Sequence, residues 1–173
     1  MIQHMFCVPF LQIQCKNWQV KKNQLKLESK NHNFEKKGGV LTNYFNKGNN
    51  CSYSFILEEE IDIFKTKFNF KKVVVNYIWY EKSLKHNFHE VHNHGQCGFS
   101  AVCYIEYDDR EHVPLSFMSP FNDFVTGSEL IFTPNTITEG SIIFFPSSIY
   151  HFVNPNFSNK ERLVVSFNLE CSF

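Results

Sequence analysis

The chain has no excess of either charge: 17 Lys and Arg stand against 17 Asp and Glu over 173 residues, for a formal net charge of zero. Without a basic stripe there is nothing dense enough to hold a phosphate backbone, so an obligate nucleic-acid partner is disfavoured, although a single flipped base as substrate is compatible. The 6 cysteines, at positions 7, 15, 51, 97, 103 and 171, include no Cys-x-x-Cys pair and no regular framework. They read as reduced, mostly buried thiols of a cytoplasmic protein of the producing or host cell. The opening residues Met1 to Phe10 lack the basic start and long apolar stretch of a signal peptide, and no run reaches the length of a membrane span, so no membrane partner is expected. No internal repeat is evident.

Hydrophobic residues are plentiful. They make up 43% of the chain, and Phe alone contributes 20 residues, enough for a folded core in a chain whose length favours one compact domain. Residues 1–71 read as an N-terminal extension of short apolar pieces, such as Phe10-Leu-Gln-Ile-Gln-Cys15, and Lys/Asn-rich connections, with Lys36-Lys-Gly-Gly39 as a turn signal. One clear helix is expected at about 52–68. Ser52 or Ser54 can cap it, Glu58 to Glu60 sit near its positive end, and Leu57, Ile61, Phe64 and Phe68 share one face, as a core-packing stripe does. Residues 72–173 then read as strands at 73–80, 98–107, 114–118, 129–133, 141–145, 149–153 and 162–169, separated by Gly/Pro/Asn turns. Short strands in such a series indicate a mainly β fold, an antiparallel sandwich or jelly-roll barrel, flanked by the helical N-terminal region.

Four of the 8 histidines fall in His86-Asn-Phe-His89-Glu-Val-His92-Asn-His94. In an extended strand alternate side chains leave the same face, so His92 and His94 can address one ion while Asn93 points away. Neutral imidazole is the commonest protein ligand for Fe, Zn, Cu and Ni, and His151, after a predicted strand, is the natural third ligand. His86 and His89 lie in a Lys/Asn-rich run and read as a polar surface loop. Cys97, three residues past His94, is a competing soft ligand that would favour zinc.

The segments His92-Asn-His94-Gly, Phe99-Ser-Ala-Val-Cys-Tyr104, Glu139-Gly-Ser-Ile-Ile-Phe-Phe-Pro-Ser-Ser-Ile-Tyr-His151, Pro155-Asn-Phe-Ser158 and Glu161-Arg-Leu-Val-Val-Ser-Phe-Asn168 carry a family likeness. Together they resemble the 2-oxoglutarate/Fe(II) oxygenases common in tailed-phage and marine microbial genomes, within the prolyl-hydroxylase-like double-stranded β-helix superfamily. The likeness covers about residues 72–169, and extends more loosely to Leu41-Thr-Asn-Tyr-Phe45. The cupin pattern of Gly140, Pro146 and His151 overlaps it, because cupins share the architecture. The resemblance implies Fe(II), 2-oxoglutarate and O2 acting on an unidentified second substrate, by hydroxylation coupled to oxidative decarboxylation. It places His92 and His151 as metal ligands and Arg162, about ten residues further, on the distal carboxylate of 2-oxoglutarate, where a planar guanidinium binds bidentately. Tyr104, and Tyr80 as a second pocket tyrosine, are implied cosubstrate neighbours.

The chain departs from the superfamily at His94, where the second ligand is usually a carboxylate. Three completions are open: three histidines as in thiol dioxygenases, two histidines with His94 behind them, or a carboxylate from Glu90, Asp108 or Asp123. Val164 stands where related enzymes often have Ser. A reading from a different class is a non-catalytic cupin-like metal-binding or structural jelly-roll module that keeps the histidines as a structural site.

Overall fold

A computed structural model describes residues 7–46, 51–96 and 98–173. In chain order the elements are β1 (Leu11–Gln14), α1 (Trp18–Ser29), β2 (Glu35–Lys37), β3 (Val40–Thr42), a 3-10 turn (Ser54–Leu57), α2 (Glu58–Lys67), β4 (Lys72–Ser83), β5 (His89–His92), β6 (Phe99–Glu106), β7 (Ser116–Met118), β8 (Ile131–Phe132), β9 (Ser141–Pro146), β10 (His151–Val153) and β11 (Arg162–Ser172). They form a seven-stranded sheet in the order β1-β9-β6-β11-β4-β3-β2 and a four-stranded sheet in the order β5-β10-β7-β8. All the pairings are antiparallel. Three strands of the N-terminal extension are thus built into the large sheet at its two edges.

The large sheet is buried on both faces, which is why β6, β9 and β11 read as nearly continuous apolar runs rather than as alternating ones. Side-chain alternation divides the two faces. Leu163, Val165, Phe167 and Leu169 point with Ile78, Tyr80, Ala101, Cys103, Ile142 and Phe144 into a core closed by Leu25 of α1 and Leu57 and Phe64 of the helical segment. Val164 points the other way, with Val102, Tyr104, Ile143 and Phe145, and meets Leu115, Phe117 and Val153 from the side of the small sheet. Cross-strand register fixes the division: Val164 lies opposite both Glu81 and Tyr104, and Ser166 opposite Trp79 and Val102.

The helical region differs from the sequence reading in two ways. The expected 52–68 helix is a 3-10 turn followed by α2, and neither start carries a side-chain cap. A second helix, α1, occupies a stretch read as connection. Its sequence WQVKKNQLKLES has too few apolar residues to announce a buried stripe, and only Leu25 and Ser29 of it are buried. Tertiary contacts supply what the sequence pattern does not: buried Glu60 of α2 receives Lys21 Nζ of α1 at 2.6 Å and the Lys16 backbone N–H at 3.1 Å. Gly140, which opens β9, is required by packing as well as by its φ of +83°; a Cβ there would lie 2.8 Å from the Trp18 ring.

The apolar stripe of α2 performs the expected task. Phe64 is fully buried, stacks on Phe144 at 4.6 Å, and meets Phe99 edge-on at 5.1 Å. Truncating a buried Phe leaves a cavity in addition to the lost transfer energy, so Phe64→Ala is expected to cost about 3 to 5 kcal/mol in chemical denaturation. Because the ring lies on the helix-facing side of the sheet, the folded fraction should bind nickel as tightly as the unmutated protein. A stable variant with weakened metal affinity would show that the two faces are not independent.

Candidate metal centre

The short β10 and the edge strand β5 bring two histidines together, since His151 and His92 are directly opposed in register. His94 lies two residues beyond the end of β5. Its position therefore comes from the loop: the His94 backbone N–H donates to Ser147 O at 2.8 Å, tying the loop to the turn between β9 and β10. Ser147 Oγ in turn shares a hydrogen bond with Ser100 Oγ at 2.8 Å, and Ser100 is bonded to Asn168 Oδ1 at 2.8 Å.

The ligand atoms of His92, His94 and His151 lie within 4.8 Å of one another, the one such group found among the described residues. Ring centroids are 4.3 Å apart for His92 and His151, 5.2 Å for His92 and His94, and 5.1 Å for His94 and His151. His92 Nδ1 is 2.8 Å from Glu90 O, and His151 Nδ1 is 2.9 Å from Ile149 O. A carbonyl can only accept, so both Nδ1 atoms carry hydrogen and both Nε2 lone pairs are left for an ion. Burial, reinforced by the neighbouring His92, takes His151 down to about 3 and His94 to about 4. His92 is lowered too, by burial and by His89. All three are neutral at physiological pH, as metal ligation requires.

Arg162 opens β11 of the large sheet, whereas His92 and His151 belong to the small one. The arginine is 3% exposed; Nη1 donates to Val113 O at 3.2 Å, while Nε is buried with no hydrogen-bond partner among the described residues. A buried guanidinium with a spare donor suits an anion. Tyr104, fully buried between the sheets, accepts the Leu115 backbone N–H at 3.2 Å through its hydroxyl. Tyr80 requires a correction. It points to the opposite face, where it stacks on Tyr53 at 5.3 Å and donates to Leu25 O, so it lines no part of this site.

A family model described as "Putative 2OG-Fe(II) oxygenase" matches residues 77–168, more than half of the chain and the span that holds all three histidines and Arg162. The chain belongs to this 2OG-Fe(II) oxygenase family. Solved structures agree in fold. A 2OG-Fe(II) oxygenase family oxidoreductase from Burkholderia pseudomallei superposes with a TM-score of 0.70 at 12% identity, over 93% of this chain and 84% of that one. The viral collagen prolyl hydroxylase of Paramecium Bursaria Chlorella virus-1, in its 2OG complex, gives 0.63 at 13% identity, over 95% and 96%. HygX from Streptomyces hygroscopicus, with nickel, 2-oxoglutarate and hygromycin B bound, gives 0.68 at 10%, over 96% and 84%. No curated protein matches the chain by sequence.

Asp108, Asp123 and Glu90, the carboxylates expected as alternative ligands, do not join the three-histidine cluster. Asp108 is paired with Lys160, Asp123 caps its own loop by accepting the Val125 and Thr126 N–H groups, and Glu90 is exposed on the rim. Cys97 lies outside the described residues. A carboxylate that sequence reasoning missed does reach the cavity beside the three imidazoles: Glu81 of β4, 7% exposed. It accepts Trp79 Nε1–H at 2.8 Å and contacts His89 Nδ1 at 3.2 Å. Burial alone would raise the Glu81 carboxyl, but His89, Trp79 and Arg162 outweigh it and hold it below the ordinary carboxylate range. Burial likewise opposes the charged form of His89, yet Glu81 raises it. His89 is thus not the surface-loop residue expected; its ring stacks on His92 at 4.0 Å. The available signal was an acidic residue inside the apolar run of β4, two positions after a Trp and hence on the same face.

The centre opens to solvent through a cavity of about 450 Å³ bordered by Val40, Tyr44, Phe45, Trp79, Glu90 and Val91. No described helix is long and apolar enough to cross a membrane. If the three imidazoles are ligands, His92→Ala, His94→Ala and His151→Ala should each lower Fe(II) affinity at least about tenfold in anaerobic titration. Unchanged affinity in the His92 and His151 variants would remove the assignment.

Proposed function

We propose that His92, His94 and His151 hold Fe(II), that Arg162 grips the distal carboxylate of 2-oxoglutarate, and that the chain is a 2-oxoglutarate- and Fe(II)-dependent dioxygenase hydroxylating a substrate admitted through the 450 Å³ cavity. The observation that carries this reading is the conjunction, between the two sheets, of three neutral imidazoles and a buried arginine whose Nε has no hydrogen-bond partner among the described residues. Fe(II) with 2-oxoglutarate supplies the oxygen-activating chemistry of the family, coupled to oxidative decarboxylation of the cosubstrate. The fit is chemical: imidazole suits iron, and three such ligands leave positions free for a chelating keto acid and O2.

The protein's part is to bind, orient and keep dry. Backbone carbonyls fix the tautomers of His92 and His151, so neither ring must reorganise when an ion arrives. Arg162 offers donors in a fixed fork at low dielectric, where a charge-assisted pair is strongest. Tyr104, whose hydroxyl oxygen already accepts from Leu115, keeps its own O–H to donate to the cosubstrate. Val102, Leu115 and Phe145 line the inner cavity and limit water there. The viral hydroxylase and HygX were both solved with 2-oxoglutarate, which supports the cosubstrate assignment here. The prime substrate enters along a wall of aromatic side chains, Tyr44 and Trp79, whose rings meet at 5.0 Å.

Deleting a buried arginine that pairs with a carboxylate costs about 2 to 5 kcal/mol. Arg162→Ala should therefore weaken 2-oxoglutarate binding roughly thirtyfold or more while leaving Fe(II) affinity nearly intact. Arg162→Lys should recover only part of the loss, because an ammonium cannot form two parallel hydrogen bonds. Paired anaerobic titrations, metal first and keto acid second, measure both constants. Equal 2-oxoglutarate affinity in all three proteins would remove Arg162 as the clamp, and no binding in any would leave a metal-holding module without keto-acid chemistry.

A further inference from the structure

The first candidate ligand sits on an unusually weak support. β5 is 4 residues long, forms the edge of the small sheet, and pairs with β10 alone, through a register that shifts between His151 and Val153. Edge strands with few ladder bonds open easily, and a metal ligand that moves by an ångström loses affinity. Something other than the ladder must hold His92 in place.

The large sheet reaches across to supply it. Glu81 lies near the end of β4, a twelve-residue strand, in a stretch paired with β11 on one side and with β3 on the other. Its carboxylate is fixed from within by Trp79 Nε1–H at 2.8 Å and turns its other oxygen to His89 Nδ1 at 3.2 Å. His89 is on β5, and its ring lies nearly parallel to that of His92, with an interplanar angle of 24° and centroids 4.0 Å apart. The chain Trp79–Glu81–His89–His92 therefore runs from the rigid sheet to the edge strand and ends on the face of a ligand ring. Among the described residues no carboxylate joins the three imidazoles in the cluster itself, and Glu81 stands one layer out.

We propose that Glu81 and His89 are positioning residues for the metal centre, a latch between the two sheets that holds the His92 ring in its ligating orientation. The inference rests on the three-histidine metal site proposed above. Partners that orient metal-bound histidines typically change metal affinity ten- to hundredfold when removed, and the same range is expected here.

The test uses Co(II) as probe with the full chain, because its visible d–d bands report ligand geometry as well as occupancy. Glu81→Gln keeps the shape but removes the charge and leaves one acceptor oxygen for the two donors Trp79 Nε1–H and His89 Nδ1–H, so the side chain can no longer hold both; His89→Gln keeps a donor to Glu81 but removes the ring from His92. Each should lower Co(II) affinity at least tenfold and alter the d–d envelope. The double variant should be no worse than the weaker single, since two residues acting through one path are not additive. Loss in Glu81→Gln with wild-type binding in His89→Gln would overturn the latch, because the carboxylate would then act by charge and not through the ring. Wild-type affinity and spectrum in both would overturn it as well. If Glu81→Gln fails to fold, the half-buried His89→Gln decides alone by the same two readouts. Absence of Co(II) binding in the unmutated chain would instead overturn the metal site itself, which separates the two failures.

Discussion

One sheet with two buried faces governs this molecule. Along β4, β6, β9 and β11 each residue commits to the helices or to the space between the sheets, and the commitment alternates without exception where register is regular. Ile78 and Tyr80 go to the helices; Trp79 and Glu81 go to the metal centre. A slip of one residue in β4 against β11 would exchange those sets, burying a carboxylate among Phe and Leu and removing it from the histidines. The long pairing of β4 with β11 is therefore the constraint on which the chemistry depends, although neither strand contributes a histidine ligand.

Placing three imidazoles and an arginine between two sheets is costly unless their polar atoms are satisfied. Two of the three histidines meet that demand in the same way. His92 and His151 each donate Nδ1–H to the carbonyl two residues earlier, Glu90 and Ile149, so a local backbone bond both offsets desolvation and selects the tautomer. The same burial that penalises their charged forms keeps them ready for a cation. Arg162 is the exception: its Nε is buried without a partner, at a cost that a bound carboxylate would remove.

Much of this was legible in the sequence, for identifiable reasons. The strands β6, β9 and β11 were readable because burial on both faces leaves long apolar runs, β4 because it is rich in β-branched and aromatic residues, and α2 because its stripe has helical spacing. His92 and His94 stood out in the sequence because four of the 8 imidazoles fall between positions 86 and 94, and the fold brings His151 to them. The helix α1 was not, since Lys21 and Glu60 rather than an apolar face bind it to the core. Tyr80 was misplaced by analogy, where the alternation of β4 would have favoured Trp79 and Glu81. The role of His89 was hidden because its partner is Glu81, on the opposite sheet, and no local pattern encodes a contact between sheets.

The replacement of the usual carboxylate by His94 has a structural counterpart. A carboxylate ligand carries its own negative charge and accepts hydrogen bonds that fix it; an imidazole brings neither charge nor spare lone pairs once bound. In this chain the anion stands one layer back, as Glu81, and the loop bearing His94 is fixed through its backbone by Ser147 and the Ser100–Asn168 pair behind it. Orientation and charge, which one residue supplies in a His-x-Asp site, are thus divided here between a backbone anchor and a buried carboxylate on the facing sheet. On the proposed reading, that division lets the ligand position be an imidazole and makes the candidate centre depend on the packing of the two sheets against each other rather than on one strand alone.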